Sequence, residues 1–325
     1  MKEVTFLQKN KARWERFDNA LDGGYVLKPD ELSDLFLQIT DDLAFSKTYF
    51  HGTNTTAYLN MLAKKAHLLI YRNKPVKRNR IAAFWTKDYP LLVYASRKEI
   101  GYSFIVFIAA VLIGVVSTLY DPGFERIIMG DEYINQTLEN INRGDPLAVY
   151  KSMNQTEMFL GISLNNIYVS FLVFVFGVFT SVGSGLYLIR NGIMLGAFQT
   201  FIAGKGFLLD SFATIWIHGT LEIFAIIVAG AAGIILGNSI VFPGSFTRLE
   251  SFKKGAMRGT KLVFGLIPVF IIAAFLEGFV TRYTAAPYVL RFSIIMASVL
   301  FIIFYFILYP KHVYLKLIKN GKPYD

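Results

Sequence analysis

Trp216-Ile217-His218-Gly219-Thr220-Leu221-Glu222-Ile223-Phe224-Ala225-Ile226-Ile227-Val228-Ala229-Gly230-Ala231-Ala232-Gly233 is apolar for long enough to enter a bilayer, yet it carries a histidine and a glutamate one helical turn apart. An ionisable side chain at the centre of a membrane helix costs about 2.5–3.5 kcal/mol on the most lenient scale, so such groups face a protein interior or an aqueous cavity. His218 and Glu222 share one helix face. Beside that face Ala225, Ala229, Gly233 and Gly237 recur every fourth residue, a small-residue stripe that lets a second helix approach closely. Counted inward from Ser211 at helical rise, the pair lies roughly 10–17 Å deep, at the midplane rather than the interface.

Composition extends the membrane reading to the whole chain. Of 325 residues 54% are hydrophobic and 16% aromatic, only 17% are charged, and the mean hydropathy is +0.44, a balance foreign to soluble enzymes. The net charge of +10 is spread along the sequence by topology. That fits positive-inside placement better than a nucleic-acid surface. With no cysteine there is no disulfide and no thiolate chemistry. The first 100 residues hold no short apolar core with a small-residue cleavage site, so the first span is expected to act as its own anchor.

Three regions follow. Residues 1–73 read as a cytoplasmic helical domain: a helix over Phe6 to Leu21, a second from Pro29 with Asp30, Glu31 and Asp34 at its start, and a third from about Thr55 to Tyr71. Residues 74–101 form a basic linker and an interfacial elbow helix, with Lys74, Lys77, Arg78, Arg80 and Trp85 as membrane-surface residues beside lipid headgroups. Residues 102–325 are the transmembrane domain. Its segment 121–158, with seven acidic and three basic residues, is the expected external loop, and Ile134, Leu138 and Ile141 mark an amphipathic helix in it.

The architecture is therefore an all-α polytopic membrane bundle of about six spans with both termini cytoplasmic. The uncharged run from Phe159 to Ile189 reads as one long or tilted second span that returns at Arg190, with Gly177, Ser181 and Gly185 as a second packing stripe. Only 14 uncharged residues separate Arg190 from Lys205. Parity of the basic segment from Gly237 to Lys261 makes that region a short, irregular third span, with Gly192 and Gly196 as further packing positions. Spans four, five and six cover about Ser211 to Leu236, Leu262 to Val280 and Pro287 to Tyr309.

His218 and Glu222 admit a proton relay, an ion site, a polar binding point in a cavity, or plain interhelical hydrogen bonding. Glu277, near the outer end of span five, and the adjacent amides Asn165 and Asn166 in span two are candidates for the same polar site; the amides need acceptors that Glu222 or Glu277 could supply. No phosphate-cradling glycine loop, His-Glu-x-x-His or Gly-x-Ser-x-Gly occurs, so the chain is read as non-enzymatic. No cofactor is expected, nor a metal, since zinc normally takes three protein ligands and there is no second histidine motif.

Taken in order, the Asn165-Asn166 span, Arg190-Asn191-Gly192-Ile193-Met194-Leu195-Gly196, His218-Gly219-x-x-Glu222 leading into Ala229-Gly230-Ala231-Ala232-Gly233, and Glu277-Gly278-Phe279 resemble the stage II sporulation protein M family of bacterial integral membrane proteins. The resemblance implies weight on Asn191, Gly192, His218, Gly219, Glu222, Gly233 and Glu277 as a unit. It implies an envelope-associated protein of the bacterial inner membrane, in a complex with peptidoglycan-remodelling proteins in spore formers and often encoded beside a MoxR-type ATPase elsewhere. The expectation is a scaffold or complex subunit, forming a homodimer through the small-residue stripes, in contact with lipid and without nucleic acid. The alternative is a transporter or channel component with a polar midplane cavity.

Overall fold

The computed structural model describes residues 2–22, 29–72, 80–143, 154–283 and 286–320, and helix is the only regular structure among them. The chain divides into two compact units, Met1–Arg80 and Ile81–Asp325. In the first, α1 (Glu3–Leu21), α2 (Pro29–Tyr49) and α3 (Asn54–Arg72) bear out the three helices read from the sequence. Phe6, Trp14, Phe17 and Leu21 fall on one face of α1 and meet Leu35, Ile39 and Leu43 of α2 and Leu59, Leu62 and Ala66 of α3. Trp14 Nε1 donates to Asp42 at 2.8 Å, and Arg13 pairs with the same carboxylate.

Lys65 of α3 reaches Asp18 at 2.8 Å and Asp22 at 2.5 Å. These hydrogen bonds hold the Lys65 ammonium above its ordinary value of 10.5. A cation whose folded value is raised contributes stability below its unfolded value and loses it as pH rises through the folded one. Replacing Lys65 by Met should therefore destabilise the domain at neutral pH by less than about 1 kcal/mol, as befits a half-exposed pair, and the difference should vanish in strongly alkaline solution. Urea titration of Trp14 fluorescence in a Trp85→Phe, Trp216→Phe background reads this directly.

Next along the chain come α4 (Arg80–Ala83), a π-helical turn (Phe84–Asp88) and α5 (Tyr89–Ala95). This elbow is built into the bundle. Tyr89 is fully buried and its hydroxyl donates to Leu262 O at 3.2 Å, while Trp85 Nε1 donates to Gly265 O at 3.3 Å. Trp85 is thus half-buried, with its ring stacked on Phe264. Arg80 is exposed, and Lys74, Lys77 and Arg78 lie outside the described residues.

There follow α6 (Arg97–Tyr120), α7 (Phe124–Met129), α8 (Asp131–Asn142), α9 (Gln155–Val175), a 3₁₀ turn (Phe176–Phe179), α10 (Thr180–Gly204), α11 (Leu208–Val241), α12 (Arg248–Gly265), α13 (Ile267–Phe275), a π turn (Leu276–Thr281), α14 (Tyr288–Ile302), another π turn (Ile303–Leu308) and α15 (Tyr309–Lys319). Five stretches are long and apolar enough to cross a membrane: Arg97–Tyr120, Gln155–Gly204, Leu208–Val241, Arg248–Thr281 and Tyr288–Lys319. The amphipathic stripe of α8 packs against α10, with Ile134 fully buried on Phe201 and Ile202.

The 50-residue stretch Gln155–Gly204 is not one rod. Thr180 has φ 63°, and beyond it Ser184 Oγ donates back to Val173 O at 2.6 Å, so α10 doubles back along α9. This corrects the placement of the turn at Arg190 and of a short, irregular third span. The charge at Arg190 suggested a membrane boundary, but uncharged Phe176-Gly177-Val178-Phe179 makes the reversal. Arg190, Asn191 and Gly192 consequently lie inside α10, whose 25 residues reach about 37 Å.

Most of α11 is buried among the other helices, and the small residues explain why it can be. Ala225 and Ala229 have no exposed surface, and a Cβ on Gly233 would run into Ser184 of α10 and, at 2.9 Å, Val173 O of α9. Gly237 lies on the backbone of Thr180 and Ser181, and Gly177 on the backbone of Gly233. Gly192 and Gly196 receive α6 at Phe107, Ala110 and Val111. Gly185 is the exception among the expected packing residues: nothing stands within 4 Å of its Cβ position. A third seam, Gly255, Gly259 and Gly265 on α12, takes Ser239, Phe174 and Tyr89. The stripe that suggested a second copy is filled by the chain's own helices.

Candidate functional site: a polar cavity among apolar helices

The helices converge on a cavity of about 600 Å³. Its walls include all six residues singled out as the intramembrane polar group: Asn165 and Asn166 from α9, Asn191 from α10, His218 and Glu222 from α11, and Glu277 from the π turn after α13. Helical spacing puts His218 and Glu222 on one face of α11, and the α9/α10 reversal brings Asn166 and Asn191, 25 positions apart, to the same space.

His218 is buried, with its imidazole 6% exposed and the Glu277 carboxylate 15% exposed. Nδ1 lies 3.1 Å from Thr281 Oγ1, and that hydroxyl is itself 3.1 Å from Leu276 O. A hydroxyl has one proton, and a carbonyl can only accept it, so Thr281 donates to Leu276 and receives a bond from Nδ1–H. In the neutral ring the lone pair is then on Nε2, which lies 3.8 Å from Glu277 Oε2. The π turn is the device that presents Glu277 and Thr281 to one imidazole; such turns occur preferentially at functional positions. His218, Glu222 and Glu277 each offer one potential ligand atom, all within 4.8 Å of one another.

The amides complete the polar wall. Asn165 Nδ2 donates to Asn166 Oδ1 at 3.4 Å, and Asn191 Nδ2 donates to its own helix at Tyr187 O, 2.8 Å away. Asn166 is 8% exposed, and its side chain lies beside the Glu222 carboxylate, within hydrogen-bonding reach of it. Three contributors were absent from the sequence reading of this site. Arg190, read as the point where the second span returns, lines the cavity, as do Met129 and Tyr133 from α7 and α8. Arg190 could have been found only by placing the α9/α10 turn correctly. Nothing in the sequence ties Tyr133 to the site.

An all-helical membrane protein with a partly open polar cavity among its helices is the class these features define. The chain belongs to the stage II sporulation protein M family, whose model matches residues 103–282, more than half of its length and every one of the six polar residues above. A second model, a domain of unknown function (DUF8413), matches residues 4–72, the three-helix unit. No curated protein and no solved structure matches the chain.

Proposed function

We propose that the chain is a non-enzymatic, multi-pass protein of the bacterial cytoplasmic membrane, with both ends in the cytoplasm, and that its cavity admits a small polar solute as part of a transporter or channel. The supporting observation is the chamber of about 600 Å³ bearing two carboxylates, an imidazole, a guanidinium and three amides inside apolar helices. Simple interhelical bonding needs no such void, because buried polar groups packed for stability close on each other.

The absence of cysteine allows a clean test. Met194, which lines the cavity and is 43% exposed, and Leu112, a residue of α6 that is 58% exposed and outside the cavity lining, are each replaced by Cys in otherwise native protein in vesicles. A membrane-impermeant thiol reagent should modify Met194→Cys and leave Leu112→Cys unreacted. Equal protection of the two would rule out a hydrated chamber.

A second reading, a scaffold for envelope-remodelling partners such as peptidoglycan-modifying proteins or a MoxR-type ATPase, is favoured by a different observation. The first unit is separately compact and is matched by a domain model of its own, as a separable module would be. A homodimer, on either reading, would use a surface other than the filled Ala/Gly seam.

A further inference from the structure

We infer that His218, Glu222 and Glu277 form a binding site for one first-row divalent cation, of the Zn²⁺ or Mn²⁺ class, facing the cavity. The inference rests on the cavity reading in that the ion must arrive through water. Two ligands sit one turn apart on α11 and the third comes from a neighbouring helical segment, the layout by which helices build metal sites in bundle interiors. The donor set of one imidazole nitrogen and two carboxylates suits Zn²⁺, Mn²⁺ or Fe²⁺ and, lacking sulfur, does not suit Cu(I).

Geometry favours an ion over direct contact. The 3.8 Å between His218 Nε2 and Glu277 Oε2 is too long for a hydrogen bond. Two ligands about 2.0–2.1 Å from one tetrahedral ion are roughly 3.4 Å apart, so that gap is within a few tenths of an ångström of a coordination edge. The 4.8 Å limit on the set requires a further swing of the Glu222 side chain, which a long, partly exposed carboxylate can make.

Three features around the ligands point the same way. Thr281 fixes the tautomer that turns the Nε2 lone pair toward the carboxylate, the orientation that a partner on the other nitrogen gives to ligating histidines. Asn166, a side chain more than nine-tenths buried, stands beside Glu222 within hydrogen-bonding reach of its carboxylate. It is placed to donate to the non-coordinating oxygen of that carboxylate or to an oxygen ligand on the ion, as ligating carboxylates require. Finally, two carboxylates held this close repel each other, and a dication between them cancels the repulsion. With three protein ligands and a chamber in front, the ion keeps a position open to water or solute.

The full-length protein in lipid nanodiscs is stripped with a chelator and titrated with Co²⁺, whose visible absorption reports coordination by nitrogen and oxygen, and then with Zn²⁺. A stoichiometric Co²⁺ band displaced by Zn²⁺ is expected, with Glu277→Gln and Glu222→Gln abolishing it. Thr281→Val should weaken affinity by about 10–100-fold, the usual effect of losing an outer hydrogen bond to a metal ligand. Circular dichroism and size-exclusion profiles establish that each variant is folded. No band in the wild-type protein overturns the site whatever the variants do, as does undiminished binding by folded Glu277→Gln. If Met194→Cys is reachable from water while the wild-type protein takes up neither metal, the ion site falls and the solute-binding chamber stands; a protected Met194→Cys removes the chamber itself.

Discussion

Gly233→Leu is expected to deprive the protein of its folded membrane unit, not merely of an oligomeric contact. The residue sits where α9, α10 and α11 meet, with Ser184 Cβ 2.7 Å and Val173 O 2.9 Å from the place a Cβ would take. Overpacking a core costs about 1–3 kcal/mol when side chains can yield. Here the obstruction includes backbone on one side, and Ser184 is held by its own bond to Val173 O. Separating the helices would also break that bond in a setting where no water replaces it. Size-exclusion chromatography after graded heating should show the leucine variant aggregating at temperatures the parent survives. Gly185→Leu is the control, since Gly185 meets nothing within 4 Å, and it should change stability by no more than about 0.5 kcal/mol. Equal behaviour of the two would show that the Ala/Gly seam does not hold the chain together.

The second large effect is expected at the elbow. Tyr89→Ala should destabilise the membrane unit by about 3–5 kcal/mol, the range for emptying a large aromatic site. Tyr89 has no exposed surface, lies against Tyr305 and Phe306, and fills the space beside Gly265 that only a glycine leaves open. Tyr89→Phe keeps the ring and loses the bond to Leu262 O, so it should cost only about 1 kcal/mol. Thermal unfolding of the two variants in one detergent separates the contributions. A near-native Tyr89→Ala protein would return the elbow to the membrane surface.

The same elbow shows where reading from sequence stops. Helix content, the three-helix unit and the apolar stretches were legible because periodicity and length are one-dimensional properties. So was the polar group, because asparagine, histidine and glutamate in apolar helices have few places to go. Two things were not legible. A membrane reversal made of Phe176, Gly177, Val178 and Phe179 carries no charge and no proline, and its cue, Thr180 at positive φ, is a conformation that threonine rarely adopts. The partner of a small-residue stripe is equally hidden: Gly233 fits a helix of another copy or of its own chain, and only the tertiary structure places Ser184 and Val173 against it. Trp85 combines both problems, since an indole beside basic residues suits a headgroup layer and a helix junction alike.

The π turn at Leu276–Thr281 has a consequence for how the site could arise or be lost. Such a turn is equivalent to one extra residue accommodated in an otherwise regular helix. Deleting a single residue within it would restore the α-helical register and rotate everything beyond by about 100°. Glu277 would keep its place while Thr281 swung away from His218, removing the hydroxyl that accepts from its Nδ1–H. The pairing of carboxylate, hydroxyl and imidazole is therefore encoded in a residue count as much as in residue identities. A relative could carry the same histidine and glutamates yet lack the arrangement, through one missing codon.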